Sequence, residues 1–151
     1  MIDTPPLRPM SDRAAIAALV TTFFAAFTSA PDAPERLDAL RELFVPGAVI
    51  VRTCGMEPVV YDIDGFIEPR AALLSSGTLS DFREWELDGR TDVFGDIAQH
   101  LCRYAKSWVQ DGAAVTGRGM KTLQFVRTAA GWRISAAAWD DEREGLSLPT
   151  A

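Results

Sequence analysis

Two hydrophobic periods divide the chain. In the first third, apolar residues recur every three or four positions, the spacing of one helix face. RAAIAALVTTFFAAF carries Ile16, Leu19, Val20, Phe23, Phe24 and Phe27 in such a stripe. Ser11 before it is a good N-cap, and Asp12 suits the positive end of the helix dipole; the helix should end between residues 28 and 31. APERLDALRELF repeats Leu37, Leu40, Leu43 and Phe44 at the same spacing, with Pro34 in the first turn and Pro46-Gly47 as a stop. DIDGFIEPRAALLSSG is a third helical segment, capped by Asp62 or Asp64 and ended by Gly77; Pro69 predicts a kink or two short pieces.

The rest of the chain alternates with a period of two. AVIVRT (48–53) is rich in β-branched residues, and EPVVY (57–61) is a short returning strand. FREWELDGRTDVF, IAQHLCRYAKSWV, AVTGRGMKTLQFVR and GWRISAAAWD follow, separated by turn signals at Gly95-Asp96, Asp111-Gly112 and Ala130-Gly131. Short turns between long strands imply sequential antiparallel pairing in a twisted, bent sheet, with Gly117 and Gly119 as places for a bend or bulge. Helices first and sheet second predict an α+β fold: a cone-shaped, curved antiparallel sheet with the N-terminal helices packed on its concave face. The mouth of such a cone is a natural small-molecule cavity. Residues 1–10, with Pro5, Pro6 and Pro9, read as an extended segment, 11–143 as one domain and 144–151 as a tail.

Composition narrows the partners. The 151 residues are 48% apolar and 24% charged, the balance of an ordinary globular domain, and the formal net charge is −6. No basic block could neutralise a run of phosphates, so neither nucleic acid nor an anionic membrane surface is an expected partner. MIDTPPLRPMSD lacks the charged start and apolar core of a signal peptide, and a cytoplasmic location is expected. One histidine and two separated cysteines, Cys54 and Cys102, make a poor zinc set, so no metal and no cofactor is expected.

The ordered set FFAAF, LRELFVPGAVIV, FGDIAQHLCRYAKSW, GRGMKTLQFVR and GWRISAAAWDDER resembles the SnoaL-like branch of the nuclear transport factor 2-like superfamily over roughly residues 11–143. The ending is the most specific part: Arg118-Gly119, Gln124-Phe125, Trp132-Arg133-Ile134, Trp139 and Glu142. The resemblance implies a cone-shaped α+β barrel with a pocket and a homodimer through the outer sheet face. It implies no single reaction, because members include isomerases, dehydratases, epoxide hydrolases, polyketide cyclases and non-enzymatic modules.

The known chemistries of that group fit the residues unevenly. A ketosteroid-isomerase-like base is missing, since AVIVRT offers Arg52 and no carboxylate. A dehydratase-like set is half present in His100 and Tyr104, which lie about 13 Å apart along one strand face. Arg90-Thr91-Asp92 has the spelling of an epoxide-hydrolase pair, yet Glu84, Glu86, Asp88, Arg90 and Asp92 read better as a solvated charge row. Asp140 to Glu144 likewise read as a solvated exit from the sheet, with Asp140 alone as a candidate for the cavity mouth.

Two functions follow. In one, a small hydrophobic carbonyl or hydroxyl compound undergoes an isomerase-, cyclase- or dehydratase-type step. His100 is then the acid/base, with Tyr104 and Asp140 beside it, and Arg52, Cys54, Trp108 and Arg118 bind the ligand. In the other, the protein is a non-catalytic ligand-binding or dimerisation module. The row His100, Cys102, Tyr104, Lys106 and Trp108 decides between them, and it is expected to face the pocket near His100 and solvent near Lys106.

Overall fold

The computed structural model describes residues 10–150; of the extended segment expected at 1–10, residues 1–9 lie outside the described residues. The order is α1 (Asp12–Ala25), α2 (Ala33–Ala39), a 3₁₀ turn (Leu40–Leu43), β1 (Phe44–Arg52), β2 (Val59–Tyr61), α3 (Ile63–Ser75), β3 (Ser80–Phe94), β4 (Ile97–Gln110), β5 (Ala113–Thr128) and β6 (Gly131–Asp141). Ser11 caps α1 by accepting from the Ala14 amide at 3.2 Å, and Asp62 caps α3 by accepting from the Gly65 amide at 2.7 Å. Pro69 neither splits nor ends α3, which runs unbroken through it. Pro46-Gly47 is no stop either: both lie inside β1, where Gly47 takes φ +81° and the pairing with β6 is irregular between Phe44 and Val49.

The six strands form one curved, unclosed sheet in the order β2-β1-β6-β5-β4-β3. Four of its pairings are antiparallel, as the short turns require, and Asp111-Gly112 closes one hairpin with positive φ at both residues. The sheet is nevertheless mixed, because β1 runs parallel to β6. One helix, α3, and the strands β2 to β5 separate those two strands in sequence, so no tight turn constrains their direction. The architecture is α+β with the helices on the concave face. Between that face and the helices lies the core, including Ile16, Phe23, Phe24, Leu37, Leu40, Ile50, Phe66, Leu123, Phe125 and Ile134.

Besides an irregularity in β3 between Ser80 and Arg83, two single-residue bulges decide which side chains near the site face that core. In β3, Glu86 pairs with Tyr104 but Asp88 pairs with Arg103, leaving Leu87 as an extra residue. In β6, Ala136 pairs with Gln124 but Ile134 pairs with Phe125, leaving Ser135 extra. Each bulge reverses the in–out alternation on its own strand. Residues 142–149 fold back over the outer face, where the Leu148 amide donates to Glu142 and Arg103 donates to the Pro149 carbonyl.

Candidate functional site

A cavity of about 480 Å³ lies between α3 and one end of the sheet, with lining residues from all six strands. Its walls are aromatic: Phe27, Tyr61, Phe66, Phe82, Trp108 and Trp139. Four cationic side chains, Arg52, Arg70, Lys106 and Lys121, and two carboxylates, Glu84 and Asp141, also line it. Volume and lining match those of small-molecule sites in general.

The register explains the assembly. Arg52 pairs with Trp139, Trp139 with Lys121, and Lys121 with Cys102, so these four form one row across the inner face. The neighbouring row is Asp141, Gly119, Tyr104 and Glu86. Gly119 has no side chain, and the Tyr104 phenol occupies the space a Cβ there would fill. Tyr104 therefore reaches across β5 and donates its hydroxyl proton to Asp141 Oδ1, while Lys106 Nζ donates to Asp141 Oδ2 at 2.8 Å.

Lys121 is buried, with Glu84 Oε2 at 3.7 Å from its Nζ. The ammonium position is caged by rings: Phe23 at 4.8 Å, Phe24 and Tyr104 at 4.9 Å, Trp139 at 5.5 Å and Phe27 at 5.6 Å to their centroids. Burial pulls the Lys121 amine below its ordinary value, against the opposing pull of Glu84. Arg70 Cζ lies 4.1 Å from the Phe66 centroid and 5.4 Å from that of Trp139. Burial opposes ionisation of Asp141, but the hydrogen bonds from Lys106 and Tyr104 outweigh it and leave the carboxyl below its ordinary range. Burial and the Asp141 hydrogen bond both push the Tyr104 phenol up, so it stays a neutral donor.

The residues expected from sequence divide between this cavity and other places. Arg52 and Trp108 line it, and Tyr104 stands behind it through Asp141. Cys54 is half-buried just beyond Arg52 and Asp141, and burial raises its thiol. Arg118 and Asp140 point to the outer face: Arg118 pairs with Glu142 at 2.9 Å, and Asp140 with Arg143 at 2.5 Å. The Ser135 bulge is the reason for Asp140. Extending the alternation from Trp132 and Ile134 would turn Asp140 inward, and the extra residue turns Asp141 inward instead.

The whole row from His100 to Trp108 faces inward, but the cavity lies at its Lys106–Trp108 end. His100 is buried away from it under α1, with Nε2 at 2.5 Å from Glu86 Oε2 and Nδ1 at 2.7 Å from Thr91 Oγ1. The supposed solvated row on β3 is split by the Leu87 bulge. Glu84 and Glu86 turn inward, while Asp88 pairs with Arg103 and Arg90 with Asp92 on the exposed side. Lys121, Glu84, Arg70 and Asp141 are the groups that sequence reasoning left out. The available signal was Lys121 itself, a lone charge on the apolar face of Leu123 and Phe125.

This architecture is the nuclear transport factor 2-like, cystatin-like fold. A proposed aromatic ring hydroxylase from Novosphingobium aromaticivorans superposes with a TM-score of 0.68 at 24% identity, over 91% of this chain and 93% of that one. A nuclear transport factor 2-like superfamily protein from Salmonella enterica serovar Typhimurium gives 0.70 at 15%, over 92% and 97%. A proposed dehydratase of the NTF2-like family from Streptomyces avermitilis gives 0.65 at 17%, over 87% and 96%. At these identities the likeness is one of fold. No protein-family model and no curated protein matches the chain.

Proposed function

We propose that this protein binds a small aromatic or otherwise hydrophobic molecule carrying an acidic oxygen, such as a carboxylate, phenolate or enolate, in the cavity beneath α3. The carrying observation is an excess of positive charge inside aromatic walls. With Lys121 neutral, three cations face two carboxylates; with Lys121 protonated, four do. The protein as a whole is acidic, at −6, so this local excess is a property of the site. An anion supplies the missing charge, and the rings supply apolar contact for its body.

The test is binding of 2-naphthoate against neutral 2-naphthamide, followed by quenching of tryptophan fluorescence from Trp108 and Trp139. The carboxylate should bind at least about tenfold more tightly, a margin matching one hydrogen bond to a charged group. Lys121→Met and Arg70→Met should each shrink that preference. Equal binding of acid and amide would remove the proposal.

A catalytic reading has its own support in Lys121. An amine held in an apolar cage with its basicity lowered is better able to act as a base or carbonyl-attacking group than an ordinary lysine. Isomerase- or cyclase-type chemistry on a carbonyl compound would use it so, with the neighbouring cations stabilising the enolate oxygen. Loss of α-hydrogen signals from bound ketones in D₂O, dependent on Lys121, is the expected result; no exchange above the solvent rate would leave binding alone. A second copy of the chain is the other proposed partner. Trp85, Leu87, Ile97 and Leu101 are exposed on β3 and β4, and a dimer mass in sedimentation is the expected outcome.

A further inference from the structure

We propose that Glu86, His100 and Cys102 form a zinc site, separate from the cavity and completed by a solvent molecule as fourth ligand. One ligand atom from each of the three lies within 4.8 Å of the other two. They come from adjacent strands. His100 and Cys102 are two apart on β4 and share its inner face, while Glu86 is delivered from β3 just before the Leu87 bulge. A nitrogen, a sulfur and a carboxylate oxygen are a zinc donor set, and three protein ligands leave one position open.

Three further features suit this use. Gly89 makes room for the imidazole: a Cβ there would stand 2.5 Å from His100 Nε2 and 3.1 Å from Cys102 Cβ. Thr91 Oγ1, 2.7 Å from Nδ1, fixes the ring from behind. If the ring's single proton sits on Nδ1 and is donated to Thr91, Nε2 presents its lone pair toward Glu86 and the metal position, the usual outer-shell arrangement of a ligating histidine. A separate open pocket of about 470 Å³, lined by Ala17, Thr21, Phe24, Glu86 and His100, gives an ion and its water a way in.

The three ligand atoms lie within 4.8 Å of one another, near enough for one ion to bridge after small side-chain adjustments. A tetrahedral zinc ion sets its ligand atoms roughly 3.3–3.7 Å apart. The His100–Glu86 contact of 2.5 Å must therefore open by about 1 Å, which the half-buried Glu86 side chain can supply by rotation. Cys102 loses its thiol proton to solvent as the metal–sulfur bond forms.

The experiment uses the full chain without a histidine tag, stripped of metal and titrated with Zn²⁺ by calorimetry and with Co²⁺ by absorption. The expected result is one equivalent bound, with a near-ultraviolet thiolate-to-cobalt band. Cys102→Ser should abolish the band, and Glu86→Gln should weaken zinc binding at least tenfold. Cys54→Ser should change neither. Absence of stoichiometric binding below about 100 µM metal would overturn the proposal. So would a band that survives Cys102→Ser and disappears in Cys54→Ser. Should Cys102→Ser fold poorly, Glu86→Gln decides alone: unchanged zinc affinity in that variant sinks the site.

Discussion

Tyr104 on β4 and Asp141 at the end of β6 are hydrogen-bonded across an intervening strand, through the gap left by Gly119. The bond ties three strands together at the cavity floor. It also orients the one carboxylate that Lys106 shares, so packing and site electrostatics meet at a single glycine.

Gly119→Ala should therefore be costly. The added methyl meets the Tyr104 hydroxyl and the Asp140 carbonyl, neither of which can retreat within a continuous ladder. A loss of about 1–3 kcal/mol is expected from overpacking. Gly117→Ala is the control, since its Cβ would meet the flexible Lys106 chain at 3.0 Å. Chemical denaturation of both variants decides it; equal losses would show that the Tyr104 passage is not special.

Lys121 should make stability rise with alkalinity. Burial holds its amine below the ordinary 10.5, so between the lowered value and 10.5 the unfolded chain binds more protons than the folded one. Stability then increases with pH through that window. The melting temperature of the wild type should climb relative to Lys121→Met as pH rises toward about 10.5. Parallel curves would mean that the amine titrates normally in the fold.

Ligand binding should be proton-linked through the same group. An anion beside Lys121 favours its charged form, so the amine takes up a proton as the ligand enters. Calorimetry of a naphthoate complex across a series of alkaline pH values, in buffers of different ionisation enthalpy, should report proton uptake, and Lys121→Met should abolish it. Arg118→Ala and Asp140→Asn, on the outer face, should leave affinity within about twofold, inside the usual range for remote surface changes.

Asp141 adds a pH dependence of the same sign at the acid end of the range. Its carboxyl lies below the ordinary 3.8, so its contribution is complete above that value and is lost as pH falls through the lower, folded one. Acid unfolding of Asp141→Asn should be less steep below about pH 4 than that of the wild type. An unchanged acid limb would mean that Lys106 and Tyr104 do not hold the charged form.

The cysteines should separate by reactivity. Burial pushes Cys102 up to about 12, while Cys54 is half-buried near the sheet edge. One thiol should react with a disulfide reagent in the native protein at pH 8 and the second only on unfolding. Two fast thiols would contradict the burial of Cys102.

Much of the frame was legible in the chain because it depends on local periodicity. The apolar stripe from Ile16 to Phe24, the Ser11 cap and the turn at Asp111-Gly112 are decided by residues within a few positions of one another and stand where that reading puts them, although α1 ends at Ala25, short of the expected 28–31, and leaves Phe27 beyond it. Pro69 was less legible. A proline inside a helix removes one hydrogen bond, and the cost is offset by Phe66, Ile67 and Leu74, which α3 buries against the core.

The site was legible only in part, and the reason is parity. Arg52 could be named because no bulge intervenes between it and the pattern that predicts its face; Trp108 was named too, although its end of the row was expected to turn toward solvent near Lys106 and instead stays inward. Asp141, Glu84 and Glu86 could not, because one extra residue at Ser135 or Leu87 inverts everything beyond it. Nothing in RISAAAW or EWELDG announces that residue. It is selected by how β6 packs on β5 and how β3 packs on β4. The amino-acid sequence by itself determined the helices, the strands and their order. Only the tertiary structure decided which carboxylates meet the buried lysine and which meet the histidine, because a strand's local energetics are nearly blind to a one-residue slip whereas the buried face is not.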